Sequence, residues 1–479
     1  MKHLLFLLFT SVILQAQAIL PTTIDLQIIN YTFNEQFDEA KKISQEQIKL
    51  APSSPKYYYY LINIKILEYY QKVAELDPEK RGEGRKILNK EIIEYCEGVI
   101  NKLNETNLNL ENKFYYGSIH AYLARIYGVD ASWWSAFRSG KKAKNIMEEI
   151  IKSNPQFHDA YLVLGMINYY ADRMSGVTGF IAGVLGLSGD REKGLNYLQT
   201  AFDKGKFTFG QSALTLIEVY TSLEGNEYAA IPYFEKFLDK YPNNKRTLNA
   251  YCQTLMNIWE LDKVERLLNN DTGNLIDDFA RARFYDIKGD SRLAIQFGEK
   301  ALQNEKKLYR GGADYSRYIV LINSLLLGDN KRVEKYEALL DERFSERYLI
   351  LKNNPGAGKW IRELSIMIAN NNSVSQLEQY LRTKPNLKTT GDYEEQFNLL
   401  MGTYYFNNRN YNMSEQYFLK NITASEERNK SRALNYLVEI YSRQTVDKAK
   451  VKKLLAIIED TENNRLTYRS KDLERKYNL

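Results

Sequence analysis

Along most of the chain, apolar and aromatic residues recur three and four positions apart, and short polar clusters interrupt the recurrence. That spacing puts the apolar side chains on one face of an α-helix. Alternation of period two, the mark of a half-buried strand, is not a regular feature, so the pattern predicts an all-α chain. The helices come as antiparallel pairs. In the clearest pair, residues 394–422, Gly402 takes the small position of the first helix and Tyr404, Tyr405 and Phe406 follow it. Asn407-Asn408-Arg409-Asn410 makes the turn, and Ser414, Tyr417 and Phe418 lie on the second helix. Residues 211–242 repeat the scheme, with Leu216 and Tyr220, the turn Glu224-Gly225-Asn226, then Ala229 and Tyr233, and the stop Tyr241-Pro242-Asn243-Asn244. A third pair has Ala282 and Tyr285, the turn Gly289-Asp290, then Ala294 and Ala301. A fourth opens the region after residue 18, with Tyr31, Phe37, Ala40 and the terminator Pro52.

Weaker pairs fill the remainder: 56–76 with 84–103, 110–127 with 132–153, then 246–269, 314–340, 356–383 and 432–458. Small residues where helices cross, large aromatics in the gaps and a turn or proline after the second helix form the tetratricopeptide pattern, with its period of about 34 residues. The expectation is a right-handed tetratricopeptide-type superhelix of about ten pairs over residues 19–460. Such pairs bury their apolar faces only by stacking, each on its neighbours. Residues 461–479 are charged and read as a fraying tail.

The first 18 residues read differently. Met1-Lys2-His3, the apolar run from Leu4 to Leu14 and the small-x-small triplet Ala16-Gln17-Ala18 match a secretory signal peptide cleaved after Ala18. No cysteine follows to take a lipid anchor, and no later segment is long and apolar enough to span a bilayer. The expectation is an exported chain, soluble in a bacterial periplasm or at the cell surface. The 66 Lys and Arg barely outnumber the 60 Asp and Glu and are interspersed with them, which argues against a nucleic-acid footprint. Cys96 and Cys252 fall about four repeats apart, too far to bridge in a neighbour-only array, and read as separate buried thiols.

One repeat breaks the period. His158-Asp159-Ala160-Tyr161 opens a first helix carrying Leu164 and Gly165, but the second helix is expected only after Asp190, with Gly194, Leu198 and Ala201. The repeat needs about 12 residues between the two glycine positions, so about 17 are inserted. The insert, residues 174–189, is apolar, glycine-rich and nearly uncharged up to Leu187. Such a loop must dock on something. It would plug the concave groove, line a pocket for a peptide or a hydrophobic small molecule, or touch a membrane interface. Asp172-Arg173 and Asp190-Arg191 flank it as caps and ion pairs, or as a polar ligand site, with Asp190 placed to cap the next helix.

The block 133–244 resembles a family of uncharacterised bacterial tetratricopeptide proteins. The matching words are Trp134, Ala136 and Gly140-Lys141-Lys142-Ala143; Asn154-Pro155 and Asp159-Ala160-Tyr161; Gly165 and Asn168-Tyr169-Tyr170-Ala171-Asp172-Arg173; Gly186-Leu187-Ser188-Gly189-Asp190-Arg191-Glu192-Lys193-Gly194-Leu195; and Tyr241-Pro242-Asn243-Asn244. The insert and the words after it are also similar to the eukaryotic inclusion-body clearance family over about forty residues. Both resemblances imply a helical-repeat scaffold and neither implies an enzymatic activity. Ser188 departs from the proline or glycine of the bacterial pattern.

Motifs for chemistry are missing. His120 and His158, the histidines after residue 18, do not form the paired spacing of a zinc hydrolase. Asn354-Pro355-Gly356-Ala357-Gly358-Lys359-Trp360 imitates a phosphate loop but has Asn353 and Trp360 where that loop needs Gly and Ser or Thr, and reads as a helix start. Glu94 with Glu97, and Glu148 with Glu149, read as solvated helix faces. Neither a cofactor nor a metal site is expected, and no enzyme. The expected partner is another protein or an extended peptide, with peripheral membrane contact through the insert as a further route; the sequence does not set the oligomeric state. The candidate contact residues are Trp133 and Trp134, of which one is expected buried, then Tyr169, Tyr170, Asp172, Arg173, Phe180, Asp190 and Arg191. The run Tyr57-Tyr58-Tyr59-Tyr60 covers a whole helical turn and should turn at least one ring to groove or solvent. The alternative function is a carrier of a lipid or hydrophobic small molecule, its pocket lined by the insert beside Phe180 and Leu185.

Overall fold

In the computed structural model the described residues are 19–76, 80–103, 105, 108–174, 179, 183, 186–308, 311–388 and 392–479. Among them are 24 α-helices and no strand. The expected signal peptide, Phe180, Leu185 and most of the insert lie outside these residues. The chain divides into two compact units: residues 1–69 with 86–212, and residues 70–85 with 213–479.

The first unit contains α1 (Thr23–Phe33), α2 (Phe37–Leu50), most of α3 (Pro55–Glu75) and α4 (Arg81–Lys102), α5 (Leu110–Val129), α6 (Trp133–Ser153), α7 (Ala160–Asp172) and α8 (Arg191–Lys204). Their starts are encoded locally. Thr22 and Asp25 form a reciprocal capping box at α1, and Asn109 accepts from the Asn112 amide at α5. Asp190 accepts from the Lys193 amide at 3.0 Å and so caps α8, as its position predicted. Helix α5 packs along α6, and α7 along α8.

The tyrosine run turns one ring partly to solvent and buries the rest. Tyr58, Tyr59 and Tyr60 are buried and Tyr57 is half-buried. The reason is that α3 has neighbours on several sides. Lys56 pairs with Asp25 of α1 at 2.6 Å, Tyr58 accepts from Lys102 of α4 at 2.8 Å, and Tyr59 packs on Tyr115 of α5 with centroids 5.2 Å apart. The rings continue through Phe114, Phe157 and Phe207, so aromatic edges and faces fill the gaps between helices here.

The second unit holds the remainder of α9 (Phe209–Glu218), a π-helical turn at Val219–Leu223, then α10 (Glu227–Lys240), α11 (Lys245–Asn257), α12 (Leu261–Asn269), α13 (Asp278–Lys288), α14 (Ser291–Leu302) and α15 (Gly312–Leu327). It continues with α16 (Asn330–Glu337), α17 (Glu342–Asn353), α18 (Pro355–Ala369), α19 (Val374–Leu381), α20 (Tyr393–Asn407), α21 (Tyr411–Leu419), α22 (Glu427–Arg443), α23 (Lys448–Glu459) and α24 (Asn464–Tyr477). The small-on-large scheme of the sequence is present: a Cβ on Gly402 would stand 2.6 Å from the Phe418 ring, so the ring lies directly on the glycine. Pro355 opens α18, so the phosphate-loop mimic is a helix start.

Two expectations fail in this unit. Contacts are not confined to neighbours: Arg465 of α24 donates to the carbonyls of Ser222 (2.8 Å) and Thr221 (3.1 Å), and Tyr228 of α10 packs on Phe406 of α20 at 5.6 Å. The unit therefore closes its first helices against its last. Nor do residues 461–479 fray. Helix α24 buries Leu466, Arg469, Ser470 and Leu473, because its charged residues lie on three sides of an amphipathic helix whose fourth side reaches the core of α22 and α23. Cys96 and Cys252 are free, buried, and in different units; burial pushes each thiol up to about 12.

Candidate functional site

Closure of the second unit leaves a recess between helices that are far apart in sequence. A cavity of about 250 Å³ is lined by Tyr318 and Ile322 of α15, Arg347 of α17, Gly358 and Arg362 of α18, Tyr393 and Gln396 of α20, and Asn429 and Arg432 of α22.

Two of its arginines are neutralised. Arg362 donates to Asp286 Oδ1 at 2.7 Å, and Asn323 donates to the same oxygen at 2.7 Å, so the buried Asp286 carboxylate is held from two helices. Arg347 donates to Glu426 Oε1 at 2.9 Å, while Asn429 donates to Glu426 Oε2 at 2.9 Å and to Glu395 Oε2 at 3.0 Å. Burial and the neighbouring Asp392 raise the Glu426 pKa against the pull of Arg347. Arg428, one helical turn before Arg432, keeps its side chain open to solvent, yet burial first and then Arg347 and Arg432 lower its pKa. The Tyr393 phenol, 4% exposed, is pushed up by burial, and its hydroxyl has no hydrogen-bond partner among the described residues.

Apart from Gly358, which stands in the phosphate-loop mimic, none of the lining residues named above was singled out by the sequence. Arg432 was expected only as the start of the last pair, 432–458, whereas its helix begins at Glu427. Only the closure of the unit turns it inward.

The residues that the sequence did single out are partly dispersed, all in the first unit. Trp133 and Trp134 are 40% and 64% exposed, so neither is buried: they occupy the first turn of α6, and the core positions of that helix begin with Ala136 and Phe137. Trp133 stacks on Phe137 with centroids 6.4 Å apart. Tyr169 is fully buried and cannot meet a partner, because Gly194 lets α8 approach its backbone; Tyr170, Asp172 and Arg173 are half-buried. Asp190 is a helix cap and Arg191 is buried beside Glu192. Phe180 lies outside the described residues. The end of the insert is docked: Leu187 is buried with Phe137, Ile167 and Met174, and a Cβ on Gly189 would lie 1.8 Å from the Asp172 amide nitrogen, a contact that only glycine permits. Asp190 thus starts α8, and Gly189 brings the end of the insert onto the last turn of α7.

His120 is partly buried against Tyr116, and burial lowers its pKa to about 4. Burial also lowers His158, with Lys204 acting in the same direction. Among the described residues no group of three or more His, Cys, Asp or Glu is placed to hold a metal ion, and no helix is long and apolar enough to cross a membrane.

No protein-family model matches the chain, and no curated protein matches it in sequence.

Proposed function

We propose that the protein is a non-catalytic scaffold of tetratricopeptide type, exported to the bacterial cell envelope, that holds a segment of a partner protein in the recess of its second unit. One observation carries this reading: five helices that are remote in sequence turn guanidinium, phenol and amide groups, set among isoleucine and leucine, toward one open cavity. Binding sites place a few polar groups on an otherwise apolar concave wall to fix orientation. Tyrosine and arginine supply rigid contact area and directional hydrogen bonds at little entropic cost, which suits a polypeptide. An acyl chain would offer no hydrogen-bond partner to the Arg432 guanidinium or the Tyr393 hydroxyl, so the scaffold is favoured over the lipid carrier. The likeness of residues 133–244 to bacterial tetratricopeptide scaffolds and the secretory pattern of residues 1–18 point the same way.

The test is photocrosslinking in the native envelope, with benzoylphenylalanine at Leu400 on the recess wall or at Lys331 on an exposed face of α16. A protein adduct of discrete mass from position 400 and not from 331 is expected. No adduct at 400, or the same products from both positions, would overturn the proposal.

A further inference from the structure

Charges of both signs stand at the recess wall, and most of them are already paired. Arg362 is held by Asp286 and Arg347 by Glu426, with Asp392 and Glu395 beside that second pair. A charged group entering here would meet its own sign next to its partner. What the wall leaves over is a small set of hydrogen-bonding groups. Asn429 is only 2% exposed. Its Nδ2 donates to Glu395 Oε2 at 3.0 Å and to Glu426 Oε2 at 2.9 Å, which uses both amide hydrogens. An amide oxygen cannot face two carboxylates, so the orientation of the group is fixed. Its Oδ1 is then an acceptor with no donor among the described residues. Three residues on, and so a neighbour on the same side of α22, Arg432 makes no hydrogen bond or ion pair among the described residues. On α20 the buried Tyr393 hydroxyl is without a partner. All three residues line the one cavity, which thus offers a fixed acceptor and two donors. Buried polar groups left unmatched in this way are costly to a fold.

Resting on the scaffold reading above, we propose that the recess holds its segment by the backbone of an extended stretch, one residue donating its N–H to Asn429 Oδ1 and accepting at its C=O from Arg432 and Tyr393. A residue of an extended chain turns its own N–H and C=O to the same edge, as the residues that exchange both bonds in an antiparallel ladder do. That edge matches a wall with an acceptor and donors side by side. A carboxylate has no hydrogen to give to Asn429, and an ammonium group has no lone pair to offer Arg432 or Tyr393. Ile322, Ile361 and Leu399 supply apolar wall on which the side chain of the held residue rests. Recognition through main-chain hydrogen bonds reads the form of a chain more than its sequence, because every residue except proline carries the same two groups. The partner segment is therefore extended, and the recess accepts segments of differing charge.

The probe is an octapeptide of alternating serine and alanine, capped by acetyl and amide groups and measured by surface plasmon resonance on the immobilised full chain. Its comparisons are the counterpart with ester oxygens in place of all internal N–H groups, and peptides with glutamate or lysine in place of serine. The amide peptide should bind, change less than about twofold as salt is added, and stay within about threefold when glutamate or lysine replaces serine. The ester counterpart should bind about tenfold or more weakly, because it leaves Asn429 Oδ1 without a donor. R432M removes the guanidinium donors and keeps the apolar stem, and should cost about tenfold; Y393F should cost about threefold. Because the Tyr393 hydroxyl has no partner in the fold, Y393F should keep or raise the Tm of the free chain while it weakens the peptide, which separates lost binding from lost structure. No binding of the amide peptide, equal binding of the ester, a preference of about tenfold for either charged peptide, or parent affinity in the double variant R432M/Y393F would overturn the inference. If the crosslink from position 400 persists unchanged in that double variant, the scaffold stands and the backbone-recognition inference falls. If the parent chain gives no crosslink, the scaffold itself falls.

Discussion

Arg469 donates to Glu439 Oε2 at 2.6 Å, with the two side chains only 4% and 11% exposed, and this pair ties the last helix to α22. The same guanidinium also reaches Asn435 Oδ1 and the Gly225 carbonyl, so one residue joins the end of the second unit to its beginning. Replacing Arg469 by Ala would leave Glu439 with only Arg443 as its cation. Breaking one side of a buried pair costs about 3–5 kcal/mol. Denaturant unfolding of R469A should show a loss of that order. A change below about 0.5 kcal/mol, the usual scale of a surface substitution, would mean that α24 is not part of the cooperative core.

Asp159 is the corresponding knot in the first unit. Its Oδ1 accepts from the amides of Phe207 (2.8 Å) and Thr208 (2.9 Å) and from the Thr208 hydroxyl (2.8 Å), and its Oδ2 accepts from the Lys206 amide at 3.1 Å. The carboxylate fixes the turn between α8 and α9 while itself preceding α7. D159A orphans several buried donors, and each costs about 1–3 kcal/mol. A drop of about 3 kcal/mol or more in unfolding free energy is expected, with D159N intermediate because its amide keeps only one acceptor oxygen.

Gly194 sets the distance between α7 and α8. A Cβ there would meet the Tyr169 amide nitrogen at 2.6 Å, and backbone cannot swing aside as a side-chain end can. G194A should cost about 1–3 kcal/mol through overpacking. Gly98, whose Cβ would meet nothing within 4 Å, is the control: G98A in α4 should be neutral or stabilising by a few tenths to about 1 kcal/mol. Thermal melts of the two variants should shift in different directions.

His120 makes stability depend on pH. Its folded pKa is lowered from 6.5 to about 4, chiefly by burial and further by Lys142, against an opposing pull from Glu105. The unfolded chain therefore binds the extra proton first as pH falls. The stability contribution of neutral His120 is complete above pH 6.5 and is lost progressively down to about pH 4. The loss across that window is about 2 kcal/mol, taken below the full-shift value because the ring is only partly buried. H120F should flatten the pH dependence in that window; an unchanged profile would assign it to other groups.

Much of the helical organisation can be traced to particular residues. Asp190 before Arg191, Gly402 opposite Phe418 and Pro355 at the head of α18 act within one helix or one pair, so their consequences are local and the sequence contains them. The errors are of another kind. The tyrosine run was expected to turn at least one ring to groove or solvent; Tyr57 does so only in part and the other three are buried, because α3 has neighbours on three sides. One of the adjacent tryptophans was expected in the core by helical geometry, but both are exposed in the first turn of α6, ahead of its first buried residues, Ala136 and Phe137.

By itself, then, the sequence determined that the chain is all-α, where most helices begin, and which small residues sit beneath large ones, because capping, periodicity and close crossing depend on residues within a few turns of one another. Only the tertiary structure decided that there are two units, that the final charged residues form a packed helix, and that Arg432 faces a recess. Those outcomes depend on contacts such as Arg465 with Ser222 and Tyr228 with Phe406, between segments that no local periodicity relates. A polar helix face has the same sequence whether it meets bulk water or the inside of a ring.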